Sequence, residues 1–228
     1  MLDAGIELAG LAAGRIDLRT HRGVHPRIGA LDVLPFVPLR DASLQEAVAL
    51  AHRAGKAIWE RYQVPSFYYG AAARRPGREL LPRVRRGGFE GLTERFKDPA
   101  WAPDEGDVAL HPTAGAIAIG ARDVLVAFNV ELATGDLAAA QEIARLIRER
   151  NGGLRSLRAL AFPRSDARVQ VSLNVTNYSA TPLYRVVELI RALAAERGIE
   201  VAGSELIGCL PRAAVEATAA YYLGVSSL

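Results

Sequence analysis

Two of the four histidines in the chain, His21 and His25, lie four residues apart, and Arg27 and Asp32 follow closely. Imidazole titrates nearest to neutral pH, so histidine is the usual side chain for taking a proton from one atom and returning it to another. The guanidinium of Arg27 can hold a carboxylate through two parallel hydrogen bonds, and Pro26 stiffens the backbone beside His25. The spacing therefore favours a proton-transfer site for an anionic substrate.

Other interpretations of these residues remain open at this stage. A polar loop exposed to solvent would have the same composition. The H-x-x-x-H spacing is compatible with zinc, but no helix and no third ligand accompany it, which argues against a metal site. His52 falls within a predicted helix, and we interpret it as a surface or packing residue.

The composition limits the class of protein. The 228 residues suffice for one large core or two smaller ones, and 50% hydrophobic with 23% charged residues is ordinary for a globular chain. The formal net charge of +3 permits an acidic small molecule as substrate. It is too low for a dedicated nucleic-acid binder, and no recognition helix or stacking motif is evident.

Compartment and membrane attachment can also be inferred. The single cysteine, Cys209, has apolar neighbours and is predicted to be a buried, inert thiol, which fits a reducing compartment. The first residues have no basic leader, and no apolar run is long enough to span a bilayer. We therefore expect a cytoplasmic protein without membrane attachment.

The periodicity of apolar residues predicts an α+β protein. In the first half it predicts a helix over 2–19, a strand over 31–39, a helix over 41–62 and a strand over 64–72. The second half is predicted to contain strands at 123–132, 154–162, 168–178 and 199–211, with helices at 136–150, 183–198 and 212–224. The order β-α-β-β-α-β over 124–208 is that of a ferredoxin-like unit. We predict two related subdomains joined near 114–123.

Several long stretches are similar to the glutamate formimidoyltransferase (formiminotransferase) family. They include "HRGVHPRIGALDVLPFVPL", "VPSFYYGAAARRP", "LPRVRRGGFEGL", "WAPDEGDVALHPTAGAIAIGARDVLVAFNVEL", "QVSLNVTNYSATPLYRVVE" and "VAGSELIGCLP". They occur in order along the chain. The resemblance implies two ferredoxin-like subdomains, a partial N-terminal one at 1–121 and a C-terminal one at 122–228.

The resemblance also implies an activity. Members of the family transfer the formimino group of N-formimidoyl-L-glutamate to N5 of tetrahydrofolate, a one-carbon step of histidine degradation. The family's catalytic histidine matches His25, tetrahydrofolate is the co-substrate, and a homodimer is expected. Arg27 is a candidate for binding a substrate carboxylate, because of its charge and position. No metal and no nucleic acid are implied.

The folate-binding segment of the family aligns with residues 106–115. It comprises Gly106, Asp107, Val108, Ala109, Leu110, His111, Pro112, Thr113, Ala114 and Gly115. We expect its small residues, Gly115 among them, to let a flat pterin approach the backbone, so that Gly115→Val should weaken folate binding without unfolding the protein. His111 is either a ligand contact or a packing residue of the loop.

The six arginines from Arg74 to Arg86 lie in the irregular stretch 71–113. They either attract the glutamyl tail of folate or form a solvated basic face.

The chain departs from the family at its start and in its folate segment. The Pro-Asn-Phe-Ser-Glu-Gly strand, the following Asp-rich strand and the His-Asn-Arg motif are not present, and the family's acidic partner for the catalytic histidine belongs to that region. The sequence "PDEGDVALHP" replaces a more usual Pro-Asp-Phe-Gly. From these departures we expect weak folate binding and slow or absent transfer. The alternatives are a formyltransferase acting on N-formylglutamate and a non-catalytic folate-binding homologue.

Overall fold

The computed structural model describes residues 1–21 and 27–226, which form two compact units, 1–123 and 124–228. The first contains α1 (Leu2–Arg15), β1 (Val33–Phe36), α2 (Leu44–Tyr62), β2 (Ser66–Gly70), α3 (Leu81–Val84), α4 (Gly88–Arg95) and β3 (Ile117–Ala121). The second contains β4 (Val126–Leu132), α5 (Leu137–Ile147), β5 (Leu157–Pro163), β6 (Val169–Val175), α6 (Leu183–Ala195), β7 (Val201–Ile207) and α7 (Arg212–Leu223). The predicted α+β class is confirmed.

The second unit has the predicted ferredoxin-like arrangement. Its strands are ordered β5-β6-β4-β7 and each neighbouring pair is antiparallel. Alternate side chains of β4, such as Phe128 and Val130, are buried in one core with Ile143 of α5 and Ile190 of α6. This alternation of apolar and polar residues is the pattern from which the strand was predicted.

The first unit is built around three parallel strands in the order β1-β3-β2. Alternation along β2 sends Tyr68 to the core formed with α1 and α2, and Phe67 and Tyr69 to a second core that includes Val84 of α3 and Leu92 of α4. Both faces of this sheet are therefore covered. In the second sheet, by contrast, the buried side chains form a single core.

Helix α2 begins where the sequence predicts. The Ser43 hydroxyl accepts a hydrogen bond from the Glu46 backbone N–H (3.2 Å), and the Glu46 carboxylate accepts one from the Ser43 N–H (2.7 Å). The hydrogen bonds that the Glu46 carboxylate accepts from the Ser43 N–H and from the Ser43 hydroxyl hold the pKa of Glu46 below its ordinary value. This capping box fixes the direction of α2 against the sheet.

Three parts of the first unit differ from the sequence-based prediction. Residues 117–121, predicted to join the subdomains, form the central strand β3, and all five are buried. The irregular stretch 71–113 contains α3, α4 and a 3-10 turn at Pro99–Trp101. The strand predicted over 31–39 is limited to Val33–Phe36 and lies at the edge of the described sheet, as Pro35 and Pro38 indicated.

Candidate active site

His25 lies outside the described residues, within the interval 22–26, but both ends of this interval are described. We call residues 21–27 the histidine segment. The Arg27 Nη2 donates a hydrogen bond to the backbone carbonyl of His21 (2.9 Å). One side chain therefore ties the two ends of the histidine segment together.

The Arg27 guanidinium is bound to a carboxylate of the protein itself. Its Nη2 and Nη1 donate to the two carboxylate oxygens of Glu90 on α4, at 3.0 and 3.3 Å. The Arg27 side chain is 14% exposed, whereas that of Glu90 is 58% exposed. Among the described residues, none accepts a hydrogen bond from the buried Nε of Arg27. Glu90 therefore makes the two parallel hydrogen bonds with Arg27 that the sequence suggested for a substrate carboxylate.

The backbone after the histidine segment is held by α4 and by Asp32. The Phe89 N–H donates to the carbonyl of Arg27 (2.7 Å). The Asp32 carboxylate accepts from the Ile28 N–H (2.7 Å) and pairs with Arg85 (2.7 Å). Asp32 attracted interest in the sequence because it follows the two histidines closely. In the structure it stabilises the backbone of residues 28–32.

Segment 106–115 lies against the same backbone. The carbonyl of Thr113 accepts from the Leu18 N–H, and the carbonyl of Ala114 accepts from the Ala30 N–H, both at 2.9 Å. Gly115 forms a bridge with Gly29. Leu18 and residues 29–30, which flank the histidine segment on its two sides, therefore contact segment 106–115 within the first unit.

His111 stabilises this loop through its ring. Its Nδ1 accepts a hydrogen bond from the Ala114 N–H (3.0 Å), which requires that the ring proton of the neutral form be on Nε2. Burial lowers the pKa of His111, because the charged imidazolium is poorly solvated there. The His111 ring therefore binds the backbone of its own loop through Nδ1, and its Nε2–H remains a hydrogen-bond donor.

The two glycines of segment 106–115 pack against the protein, which corrects the expectation for Gly115→Val. A Cβ at Gly115 would lie 2.2 Å from the carbonyl oxygen of Ile28, and one at Gly106 would lie 2.7 Å from the Trp59 ring. Both glycines also have positive φ, at +70° and +103°. The lack of a side chain at Gly115 is required for the fold, so a valine there would disturb the protein itself.

We expect Gly115→Ala to destabilise the first unit more than Gly87→Ala does. Both positions have positive φ, but the nearest atom to a Cβ at Gly87 is 3.7 Å away. The left-handed conformation costs both variants about 1–2 kcal/mol. The clash with Ile28 should add roughly 1–3 kcal/mol for Gly115→Ala alone. Urea unfolding followed by tryptophan fluorescence reports this unit, because both tryptophans, Trp59 and Trp101, lie in it. Equal losses would show that Ile28 moves away freely.

The arginine-rich stretch surrounds a buried ion pair. Arg78 and Asp104 are 2% and 1% exposed, and the Arg78 Nη1 donates to the Asp104 carboxylate at 2.7 Å. The Arg78 Nη2 donates to the carbonyls of Ala100 and Ala102. Asp104 also accepts from the Tyr68 N–H (2.8 Å). Burial lowers the pKa of Arg78, an effect that the charge of Asp104 opposes.

Four of the six arginines are engaged in ion pairs inside the first unit. Arg74 pairs with Glu105, Arg75 and Arg78 with Asp104, and Arg85 with Asp32. Arg83 and Arg86 are exposed. The stretch is thus mainly a structural scaffold, and at most two of its arginines form a basic face.

Arg95 is a structural residue that the sequence did not single out. It lies over the ring of Trp101, 3.7 Å from the centroid, and donates to the carbonyls of Val84 (2.6 Å) and Arg86 (2.9 Å). Burial lowers the pKa of Arg95 to about 10. These bonds hold the end of α3 and the following turn against α4, the helix from which Glu90 reaches Arg27.

The sequence also suggested interpretations of His52 and Cys209, of which the structure confirms the first and contradicts the second. His52 is a packing residue, as predicted: its Nε2 is 2.9 Å from the carbonyl of Ala72 and its ring packs edge-on against Tyr68. Cys209 is exposed, so the prediction of a buried thiol is wrong. Strand β7 ends at Ile207, and the chain turns at Gly208 (φ +76°), which places Cys209 beyond the packed part of the sheet.

The helices of the described ranges all lack the length and apolar character that crossing a membrane requires. In those same ranges, no three His, Cys, Asp or Glu side chains are grouped so that they could hold a metal ion.

The helices and sheets of the two units define an α+β protein whose second unit is ferredoxin-like, with the candidate site at residues 27–32 and 106–115 in the first unit. Two family descriptions match the chain: "Formiminotransferase domain, N-terminal subdomain" over 1–122 and "Formiminotransferase domain" over 127–228. The chain therefore belongs to the formiminotransferase family.

Individual relatives cover nearly the whole chain. A glutamate formimidoyltransferase of Streptococcus pyogenes serotype M1 is 42% identical over 224 residues, which are 98% of this chain and 75% of the relative. One of Thermoplasma acidophilum is 43% identical over 225 residues, 97% of this chain and 74% of the relative. The formimidoyltransferase-cyclodeaminase of Rattus norvegicus is 37% identical over 229 residues, 97% of this chain but 42% of that longer protein.

Proposed function

We propose that the protein is a one-carbon transferase that moves the formimino group of N-formimidoyl-L-glutamate to N5 of tetrahydrofolate. The observation that carries this proposal is the identity of 42–43% to two proteins named glutamate formimidoyltransferase, over 97–98% of this chain. The adjacency of residues 27–32 and 106–115 supports it, because a two-substrate transfer needs the proton-transfer group beside the acceptor site.

The chemistry defines what the site must do. The N5 nitrogen of tetrahydrofolate attacks the amidine carbon of the donor, and a C–N5 bond forms in a tetrahedral adduct. The bond from that carbon to the glutamate nitrogen then breaks. N5 loses one proton and the departing glutamate nitrogen gains one, so no oxidant or other reactant is needed.

His25 is the proposed carrier of that proton. A single imidazole can accept the N5 proton and return it to the leaving nitrogen, a contribution of roughly 10²–10⁴-fold to the rate. In the sequence, His25 lies between His21 and Arg27, and the Arg27 side chain donates a hydrogen bond to the His21 carbonyl. Its position between two fixed ends suits a group that must meet two nitrogens in turn.

Arg27 is the proposed partner of a donor carboxylate, but through a single hydrogen bond. A guanidinium carries five N–H groups, and Glu90 and the His21 carbonyl take three of them. Within the described residues, the N–H groups of Arg27 that are left without an acceptor are the buried Nε–H and one hydrogen of Nη1. The charge of Arg27 is already balanced by Glu90, so its contribution is orientation rather than net attraction.

The exposed part of segment 106–115 is the proposed contact for the pterin and its linker. Asp107, Val108, Ala109 and Pro112 are exposed, and Val108 presents 57% of its surface. We expect Val108→Asp to weaken binding of reduced folate about tenfold, because a charge would replace an apolar contact with the flat ring. Titration followed by tryptophan fluorescence measures this. Val215→Asp on α7, at a position 47% exposed, is the matched control. Equal affinities in all three proteins would exclude this loop from the folate site.

An experiment with both candidate donors distinguishes formimidoyl transfer from formyl transfer. Purified protein with tetrahydrofolate is given N-formimidoyl-L-glutamate or N-formyl-L-glutamate, and the folate product is identified by mass spectrometry. The proposal predicts 5-formimidoyl-tetrahydrofolate and little 5-formyl product. Predominant formyl transfer would instead support the formyltransferase, and folate binding without either product would support a non-catalytic homologue.

The cellular setting belongs to the same proposal. Formimidoyl-glutamate is formed in histidine degradation, so the protein is placed there, in the cytoplasm and as a homodimer. The single exposed thiol of Cys209 is compatible with a reducing compartment. Gel filtration with light scattering tests the dimer.

A further inference from the structure

We propose that strand β7 is the surface through which two copies of this chain join, by antiparallel pairing of their β7 strands around a two-fold axis at Ser204. The inference rests on the homodimer of the proposed function and names the surface that forms it. It does not depend on the transfer activity. The exposure, the composition and the pairing register of β7 carry it.

The first observation is the open edge of β7. Within the described residues, β7 pairs with β4 on one side and ends the sheet on the other. All its residues are at least partly exposed, and Leu206 and Ile207 expose 57% and 47% of their surface. The outer side of such a strand presents backbone N–H and C=O groups with which a further strand can pair.

The other edge strands of the described sheets carry features that hinder such pairing. Strand β5, at the opposite edge of the same sheet, contains the exposed Arg158 and ends at Pro163. In the first unit, β1 contains Pro35, and β2 is buried at every position except Gly70. Charged side chains and proline at an edge both oppose pairing with another chain.

Strand β7 lacks these protective features. Its sequence, VAGSELI, contains no proline, lysine or arginine. Its one carboxylate, that of Glu205, accepts a hydrogen bond from the Asn129 side chain of the neighbouring β4 (3.1 Å). The strand is therefore an extended, mostly apolar edge whose only charge is already engaged within its own sheet.

The sequence of β7 is also complementary to itself. A two-fold axis between antiparallel strands sets one residue opposite its own copy, and an axis at Ser204 matches apolar with apolar residues and sets the charged residue against glycine. The pairs are Val201 with Ile207, Ala202 with Leu206, and Gly203 with Glu205. An axis at Glu205 would instead oppose two carboxylates, and an axis at Gly203 would oppose Glu205 and Val201. The register at Ser204 therefore favours a second copy as the partner of β7.

The first experiment compares Leu206→Lys with Leu160→Lys by gel filtration with light scattering over a range of protein concentrations. Leu160 is the matched control, because it lies on β5 at the opposite edge of the same sheet and is also 57% exposed. A lysine on an edge strand opposes pairing, and by symmetry each dimer would set the new charge against Ala202 twice. We expect Leu206→Lys to raise the dimer dissociation constant at least about tenfold, and Leu160→Lys to leave it within about twofold.

Disulfide cross-linking tests the position of the axis. The two copies of Ser204 would lie directly opposite each other with Cα atoms about 5 Å apart, whereas the two copies of Ala202 would be roughly 14 Å apart. A disulfide requires Cα atoms within about 7 Å. In a protein that also carries Cys209→Ser, mild oxidation with diamide should link Ser204→Cys into a covalent dimer on non-reducing electrophoresis. Ala202→Cys, on the same face of the strand, should stay largely unlinked.

The outcomes separate this surface from the activity. A dimer that withstands Leu206→Lys, or in which Ser204→Cys links no faster than Ala202→Cys, would overturn the inference and leave the homodimer in place. An unmodified protein that is monomeric at every concentration would overturn both. Formimino transfer is assayed in the same preparations, and a dimer without transfer would count against the proposed activity alone.

Discussion

Replacement of His25 by alanine is expected to lower the turnover of formimino transfer by at least about 100-fold. The side chain is proposed to take the proton from N5 and to return it to the glutamate nitrogen, and alanine can do neither. Binding of tetrahydrofolate should change little, because the proposed folate contacts lie in segment 106–115. The measurements are kcat from product formation and the folate dissociation constant from fluorescence titration.

The control for this prediction is His21→Ala. The structure uses the backbone carbonyl of His21 to bind Arg27, and an alanine keeps that carbonyl. His21→Ala should therefore retain most of the activity. If His21→Ala were the more damaging change and His25→Ala nearly neutral, the proton would be carried by the first histidine and the assignment would be wrong.

The second large effect is on stability: Asp104→Ala should lower the free energy of unfolding of the first unit by about 3–5 kcal/mol. Asp104 is 1% exposed and neutralises Arg78, which is 2% exposed. Its loss leaves a buried cation without a carboxylate, and the Tyr68 N–H without its acceptor. Urea unfolding followed by tryptophan fluorescence gives the free energy for this unit.

Two further variants separate the buried charge from a general effect of substitution. Asp17→Ala removes an aspartate paired with Arg19 at the surface, where both side chains are at least 35% exposed, and should destabilise the unit far less than Asp104→Ala does, because solvent screens the pair. The double variant Arg78→Met with Asp104→Leu should be more stable than Asp104→Ala, because it leaves no unpaired charge. A double variant as unstable as the single one would mean that shape, and not charge, governs this site.

The parts of the fold that follow local rules were predictable. Strand β6 of the second unit alternates buried residues, such as Val171 and Leu173, with less buried ones, and helices α5 and α6 have clear apolar faces. Helix α2 carries its own start signal in Ser43 and Glu46. In each case the residues that determine the element are adjacent in the sequence.

Strand β3 was missed because its residues give no local signal of a strand. Residues 117–121 are buried on both faces, so apolar and polar residues do not alternate. The strand pairs with Val33–Phe36, more than eighty positions earlier, and with Ser66–Gly70. Only these distant partners identify it as the centre of a sheet.

The site was predictable in its residue types but not in its contacts. The spacing of Arg27 and Asp32 from the histidines made them candidate site residues. Their ion-pair partners, Glu90 and Arg85, come from a stretch without regular periodicity. That stretch is organised by long-range contacts of Arg78 and Arg95 with backbone carbonyls. Such contacts have no fixed spacing, so the pairing of Arg27 with Glu90 emerged only from the folded chain.

Transfer of the formimino group from glutamate to folate can be followed with an isotope label. N-formimidoyl-L-glutamate labelled with ¹⁵N at its imino nitrogen is mixed with tetrahydrofolate and an excess of protein over donor, and the products are analysed by mass spectrometry. We expect that the label appears in the folate product, that unlabelled glutamate is released in equal amount, and that His25→Ala abolishes both at the same time points. Label recovered as ammonia, or no label in folate above the level without protein, would contradict it.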